Sequence, residues 1–401
     1  MNVYLDNGAT TKLAKEVLEE MIPYFSEKYG NASSLHKFGR DARDAIEEAR
    51  LAIARSINAN PSEIVFTSGG TESNNLAIKG AALSNKEKNH IIISRIEHDC
   101  VLNATKWLSK NGFEITMLDV DKYGIVEPKT LLKAIKPNTL LVSIMHANNE
   151  IGTILPIEEY GKICRKKGVL FHTDACQSFS KVPIDVKSMN IDMMTLNAHK
   201  IHGPKGVGAL YVRKGIKLTP LSHGGGHEFN KRSGTENISG IVGFAKSATL
   251  LKKEEIEKMK KQRDYLISEL LKIPDTHLNG HQSKRICNNV SISFHFIEGE
   301  SLLMHLDMKG IAVSTGSACS SHSLEPSHVL LSIGLKHEVA HGTIRFTLSK
   351  YTTQEEIDYT IKSVKEAVKV LREMSPLRKG VDYTTDYKED HDHGHDNNQE
   401  E

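Results

Sequence analysis

The sequence predicts an α/β protein with a large domain on a mainly parallel sheet flanked by helices, plus a smaller α/β C-terminal domain. Three observations point there. Short β-branched apolar runs alternate with longer stretches of helical periodicity, the pattern of strands joined by crossover helices. The 401 residues are enough for one large buried core and a smaller one. The segments just after the apolar runs are rich in His, Asp, Asn and Lys, and the carboxyl edge of a parallel sheet is where such side chains do chemistry.

The elements follow in order. "EIVFTS" is a strand candidate, followed by "GGTESNNLAIKGAAL", a helix with a glycine-rich start. "HIIIS" leads to a helix around Val101–Lys110, and "FEITMLDV" is again a strand. "TLLVSIMH", the helical "IEEYGKICRKKG" and "VLFHTD" come next, and "IDMMTLNAHK" and "GVGALYVRK" complete the series. From about Asn237 one long amphipathic helix is predicted to run toward Lys272. Beyond it, "NNVSISFHF", "GIAVSTGSA" and "GTIRFTLSKYT" read as strands interleaved with helices. The expected division is 1–15 packing with the small domain, 16–250 as the large domain, 251–378 as the small one, and 379–401 as a tail. That tail holds "DYKEDHDHGHDNNQEE", whose single Tyr cannot bury enough surface to order it. His391, His393 and His395 within it read as part of a solvated acidic segment.

A formal net charge of +2 gives no electrostatic case for direct nucleic-acid binding. No signal-peptide progression opens the sequence and no apolar run reaches bilayer-spanning length, so a cytoplasmic protein without membrane contact is expected. Five cysteines without a CxxC spacing favour reduced thiols over disulfides or a zinc site. Cys164 and Cys287 read as packing residues. Cys100 and Cys176 flank candidate positions, and strand and helix geometry can point them away.

Lys200 in "NAHKIHGPKG" ends a strand beside His199. Alone it reads as a surface lysine, but a buried or cation-flanked amine can form a Schiff base. Asp174 ends "VLFHTD", where a carboxylate either caps a helix or pairs with the ring nitrogen of pyridoxal phosphate and makes the ring an electron sink. "SGGTES" offers Gly70 and Thr71 at a helix start, a place for a phosphate. His98 in "RIEHD" is a flat ring suited to stacking. Phosphate cradle, stacking ring, acid and lysine occur in that chain order, each at a strand end. Cys319 is set in "STGSACSSHSLEPS", a stretch of small polar residues unlike the apolar surroundings of a core thiol, which is read as an accessible, mobile loop.

Together with "YLDNGATT", "GNASSLHKFG", "FTSGGTESNNLAIKG", "HANNEIGTILPI", "FHTDACQS", "AHKIHGPKGVGALY", "RSGTEN", "GSACSSHSLEPSHVL" and "IRFTLSKYTT", these residues make the chain resemble the cysteine desulfurases of the nitrogen-fixation and iron–sulfur cluster assembly group. These belong to the class V aminotransferases, with fold type I of the pyridoxal phosphate-dependent transferases. The resemblance covers nearly everything but the tail. It implies pyridoxal 5'-phosphate joined to Lys200, with Asp174 on its ring nitrogen, His98 stacked on the ring, and Gln177 and Asn149 near its phenolic oxygen. It further implies a phosphate held by Gly70, Thr71, Asn197 and His199, with Thr235 reaching in from the second subunit of a homodimer. Arg345 with Asn149 would clamp the carboxylate of L-cysteine, and Cys319 would accept the sulfur, with His98 as the candidate base. Asn197 departs from the family's usual Ser, and Gly8 from a more usual polar residue.

The expected reaction turns L-cysteine into L-alanine and a persulfide on Cys319. The length of the segment after Cys319 implies delivery to an iron–sulfur cluster scaffold, with tRNA thiolation a further destination. No stable metal site is implied, although Cys319 could serve as a transient [2Fe–2S] ligand. A selenocysteine lyase or small-amino-acid aminotransferase on the same fold is the alternative, and a non-catalytic sulfur or metal carrier is the rival from another class.

Overall fold

The computed structural model describes residues 1–85, 87–315 and 326–376. Its first half is a seven-stranded sheet of β2 to β8, which follow the N-terminal β1 (Val3–Tyr4). They are β2 (Ile64–Thr67), β3 (His90–Ser94), β4 (Glu114–Leu118), β5 (Thr139–Ser143), β6 (Leu170–Asp174), β7 (Met193–Asn197) and β8 (Gly208–Val212). Their order across the sheet is β2-β8-β7-β6-β5-β3-β4. Pairings from β7 through β4 are parallel, while β8 runs antiparallel to both β7 and β2. All five residues of β3, β5 and β7 are buried, as expected for strands covered by helices on both faces.

The second half carries a four-stranded antiparallel sheet, ordered β12-β13-β10-β9. It is made of β9 (Thr276–Leu278), β10 (Asn289–Phe294), β12 (Ser314–Thr315) and β13 (Thr343–Thr347). β11 (Ile311–Ala312) pairs in parallel with β1, so the N-terminus joins this half. Val3 and Leu5 are buried in the same apolar cluster as Val290, Ile292, Phe346 and Val364. A separate cluster around Phe171, Tyr211 and Phe244 fills one face of the large sheet.

The single helix expected from Asn237 toward Lys272 is two helices, Ile238–Ala248 and Lys253–Leu270. They serve different cores. Ile241, Phe244 and Ala245 belong to the large-sheet cluster, whereas Leu266, Ile267 and Leu270 belong to the other. The chain must change direction between them, and the Glu255 side chain accepting from the Lys252 backbone N–H at 2.8 Å starts the second helix. The amphipathic period ran through the break because each helix has an apolar face of its own.

The carboxyl ends of β2, β3, β5, β6 and β7 open onto one edge of the sheet. The segment that contains Cys319, residues 316–325, lies outside the described residues, but both its flanks are fixed near that edge. Before it, β12 pairs with β13 at Ser314↔Arg345. After it, Ser327 donates to the Glu150 carboxylate and His328 Nε2 lies 3.0 Å from the Glu97 backbone oxygen. Residues 377–401, which include the predicted tail 379–401, also lie outside the described residues. Among the described residues no helix is long and apolar enough to cross a membrane.

Candidate active site

Asp174 is the last residue of β6 and is 7% exposed. Burial alone would raise its pKa, yet the carboxyl is held below the usual range. The Cys176 backbone N–H donates to Oδ1 at 2.8 Å, the Asn74 amide donates to Oδ2 at 2.7 Å, and His98 adds a favourable charge interaction. The result is an ionised carboxylate in a dry place, which requires a cationic or N–H partner.

His98 caps the N-terminus of the helix Asp99–Ser109, with Nδ1 accepting from the Cys100 backbone N–H at 3.2 Å. Burial, and after it the charge of Lys200, lower its pKa. Lys200 follows β7 in the adjoining turn and lines a narrow cavity with Thr11, Lys181, His202 and Asn288. Beside it, His199 is pushed down to about 4 by burial and by the charges of Lys200, Lys205 and Lys181, and its Nδ1 is 3.2 Å from Thr10 Oγ1.

The strand β2 turns through Gly69, at φ +152°, into the helix Gly70–Ser84, whose first turn has no side-chain cap. Thr71 is exposed there. A Cβ on Gly70 would stand 2.7 Å from Cys176 Sγ and 3.7 Å from Asn197 Nδ2. Glycine therefore brings the helix start down against the ends of β6 and β7. Arg232 Nε meets Glu72 at 3.0 Å, tying the segment that carries the exposed Thr235 to this same turn.

Arg345 is buried on β13. It donates to the Asn149 backbone oxygen at 3.0 Å and to Asp6 Oδ1 at 2.9 Å, and its Nε has no partner. Asn149 Oδ1 and Asn197 Oδ1 are likewise buried without partners. Gln177 donates its amide to the Gly8 oxygen at 3.0 Å. Gly8, a departure without evident consequence in sequence, has a packing one. Its missing Cβ would lie 3.0 Å from Thr347 Cγ2 and 3.4 Å from the Arg345 guanidinium carbon.

Several residues of this region were not singled out from sequence: Asn74, Asp6, Thr10, Glu97 and Glu150. Asn74 left no signal of its own, since it stands in "TESNN" among other polar residues and Ser73 beside it is buried too. Cys100 and Cys176, expected to be free to point away, face inward. Cys100 Sγ lies 3.1 Å from His98 Nδ1, and Cys176 Sγ is packed at Gly70 and Asp174. Burial pushes the Cys100 thiol up to about 12, so it is not a nucleophile at neutral pH. Cys164 and Cys287 are buried, as their packing role requires.

The chain matches the aminotransferase class-V family model over residues 3–360. A curated relative, "Cysteine desulfurase IscS" of Dictyoglomus turgidum, is 55% identical over 382 residues, covering 94% of this chain and 97% of the relative. The chain belongs to the cysteine desulfurases of the class V aminotransferase family. Among solved structures, a "NifS-like protein" superposes with a TM-score of 0.87 at 42% identity, covering 92% of this chain and all of that one. A structure described as "SspA in complex with cysteine" does so with a TM-score of 0.80 at 39% identity, covering 88% and 100%.

The family's cofactor is pyridoxal phosphate, and the residues present fit it. Asp174 is an anion prepared for a ring N–H, Gly70 opens the helix start to a phosphate, and the unpartnered polar atoms of Asn149, Asn197 and Arg345 are unspent hydrogen-bonding capacity around that edge. Among the described residues no group of three or more His, Cys, Asp or Glu side chains could hold a metal.

Proposed function

We propose that this cysteine desulfurase converts L-cysteine to L-alanine through a persulfide on Cys319. The substrate's C–S bond breaks, its sulfur joins the Cys319 sulfur, and the bonding pair stays with carbon, which takes up a proton. No outside oxidant is needed.

Pyridoxal phosphate, when bound, supplies the electron sink that makes loss of the Cα proton and cleavage of the C–S bond feasible. Asp174 would hold the ring nitrogen, with His98 over the ring and Gln177 and Asn149 beside its phenolic oxygen. Gly70, Thr71, Asn197 and His199 would hold the phosphate, with Thr235 from a second subunit. Lys200 Nζ would anchor the cofactor and, once released, would carry the Cα proton of the substrate. Arg345, oriented by Asp6, binds the substrate carboxylate through its fork. His98 takes up the proton that Cys319 must lose to attack as thiolate.

One observation carries most of this reading: a buried, ionised Asp174 between His98 and the strand end that bears Lys200. The cost of keeping a carboxylate charged in a dry place is offset when it meets a cation or a ring N–H.

The protein is proposed to work in the cytoplasm as a homodimer and to hand its sulfur to a scaffold for iron–sulfur clusters. The division into a large domain over 16–250 and a small one over 251–378 completed by the N-terminus is likewise proposed, and the two apolar clusters support it. Incubation with L-cysteine, followed by intact mass and alanine assay, tests the reaction. One added sulfur that maps to Cys319, and is lost together with alanine formation in Cys319→Ala, is expected. Full alanine release by Cys319→Ala would instead mark a lyase that cleaves the C–S bond without this thiol, and keto acid in place of alanine would mark a transaminase.

A further inference from the structure

Asn74 sits four residues into the helix Gly70–Ser84 and is fully buried. That face takes Ala77, Ile78 and Ala81 further along the helix, so an amide there is an exception that needs a reason. Its Nδ2 makes two contacts, donating to Asp174 Oδ2 at 2.7 Å and to Cys100 Sγ at 3.1 Å. Its Oδ1 is buried with no partner. The Cys176 backbone N–H takes the other Asp174 oxygen, so the carboxylate is gripped from two elements. Cys100 in turn touches His98 Nδ1 through both its sulfur and its backbone N–H.

We propose that Asn74 is a positioning residue for the desulfuration: it holds Asp174 as an aimed carboxylate and, through Cys100, ties that aim to the turn presenting His98. The inference rests on the roles given above to Asp174 and His98. The side chain suits the task. One amide nitrogen carries two N–H groups at a fixed angle and so reaches two acceptors on different elements. Leucine would fill the same volume with no donor, and aspartate would set a like charge against Asp174. The helix adds rigidity, because Gly70 at its start and Asn74 are separated by about 6 Å along one axis. The phosphate cradle and the grip on Asp174 are thus parts of one body.

Loss of the amide donor raises the Asp174 pKa, because a hydrogen bond to the charged form is removed. The titratable groups facing Asp174 are Glu97, His98, Cys100, His172 and Cys176. In Asn74→Leu kcat should fall about tenfold or more, with KM within about twofold. The cofactor should also leave Asn74→Leu about tenfold faster than the parent when its fluorescence is followed during competition with an aldehyde trap. Asn74→Ser, which keeps one short donor, should lie between, and it serves as the test if Asn74→Leu does not fold. Leu83→Ala, exposed on the last turn of the same helix, should match the parent. Parental cofactor retention in Asn74→Leu overturns the proposal even where kcat falls, and so does an Asn74→Ser variant that recovers nothing over Asn74→Leu. Asp174→Asn separates the two levels. If it retains cofactor and rate, the role given to Asp174 fails; if it loses them while Asn74→Leu does not, only the Asn74 inference fails.

Discussion

Glu97 is a fully buried carboxyl beside His98. Its Oε1 accepts from Ser94 Oγ and the Met145 backbone N–H, and its Oε2 has no partner. Burial pushes its pKa up from 4.5 to about 8, and burial likewise pushes Glu150, under Ser327, up to about 7. The sign of the consequence follows from proton counting. Between the unfolded value of 4.5 and the raised folded value, the native state retains protons that the unfolded chain has released. Stability therefore falls as pH rises through that window, opposite to the usual trend for paired carboxylates. Glu97→Gln should remove its part of the slope, leaving stability near the parental value at pH about 4.5 and higher than the parent at pH about 8.5. Urea melts at the two pH values measure this, and equal slopes for parent and variant would show that Glu97 ionises freely. Such a residue is invisible in sequence. "RIEHD" marks His98 by its ring chemistry, while Glu97 gains its meaning only from Met145, 48 positions away.

The segment 226–237 illustrates how an element can be held in an unfavourable shape. Glu228, Phe229 and Asn230 are consecutive left-handed residues at φ +47°, +57° and +60°, a conformation that costs roughly 1–2 kcal/mol per non-glycine residue. A buried ion pair opposes it. Arg50 on the helix Lys37–Ser56 grips Glu228 at 2.7 and 2.9 Å, and Glu228 also accepts from the Phe66 backbone N–H at 2.8 Å. Arg50→Met leaves Glu228 buried without its partner, which should cost about 3–5 kcal/mol. A denaturant melt reads the loss, and a change under 1 kcal/mol would mean that the pair is dispensable. Neither partner announces itself in sequence, since 178 positions separate them. The strands were legible for the opposite reason. "HIIIS" and "IDMMTLNAHK" carry their fold in local apolar pattern, and the site residues Lys200, Asp174 and His98 stand where such runs end. What local pattern could not supply was the break at 249–252, where the apolar period continues while the core it serves changes.

At the scale of the whole molecule, one face is too apolar for a solitary chain. Leu18, Ile22, Phe25, Tyr29, Leu35 and Phe38 are between 44% and 85% exposed, and Phe229 is 45% exposed. The Tyr29 and Phe38 rings are 5.6 Å apart, and Ser33 Oγ meets His227 Nε2 at 3.3 Å, which sets this stretch against the turn that carries Phe229. Monomers seldom leave such a patch open, and a second copy of the chain related by a two-fold axis would cover it. The segment bearing Thr235 leaves from the same surface, so the dimer and the phosphate site become one question. Lys200→Ala and Thr235→Ala homodimers should each be impaired, because every site in either lacks one of the two side chains. If Thr235 serves the partner's site, a mixed dimer holds one doubly damaged site and one site with both residues intact. Unfolding and refolding an equal mixture of the two variants should then restore about a quarter of the parental activity, because half the dimers are mixed and half their sites are whole. If Thr235 serves its own chain, every site keeps a defect and mixing restores nothing. Phe25→Asp with Leu35→Asp should abolish the gain and shift sedimentation to the monomer, which ties the recovered activity to this face.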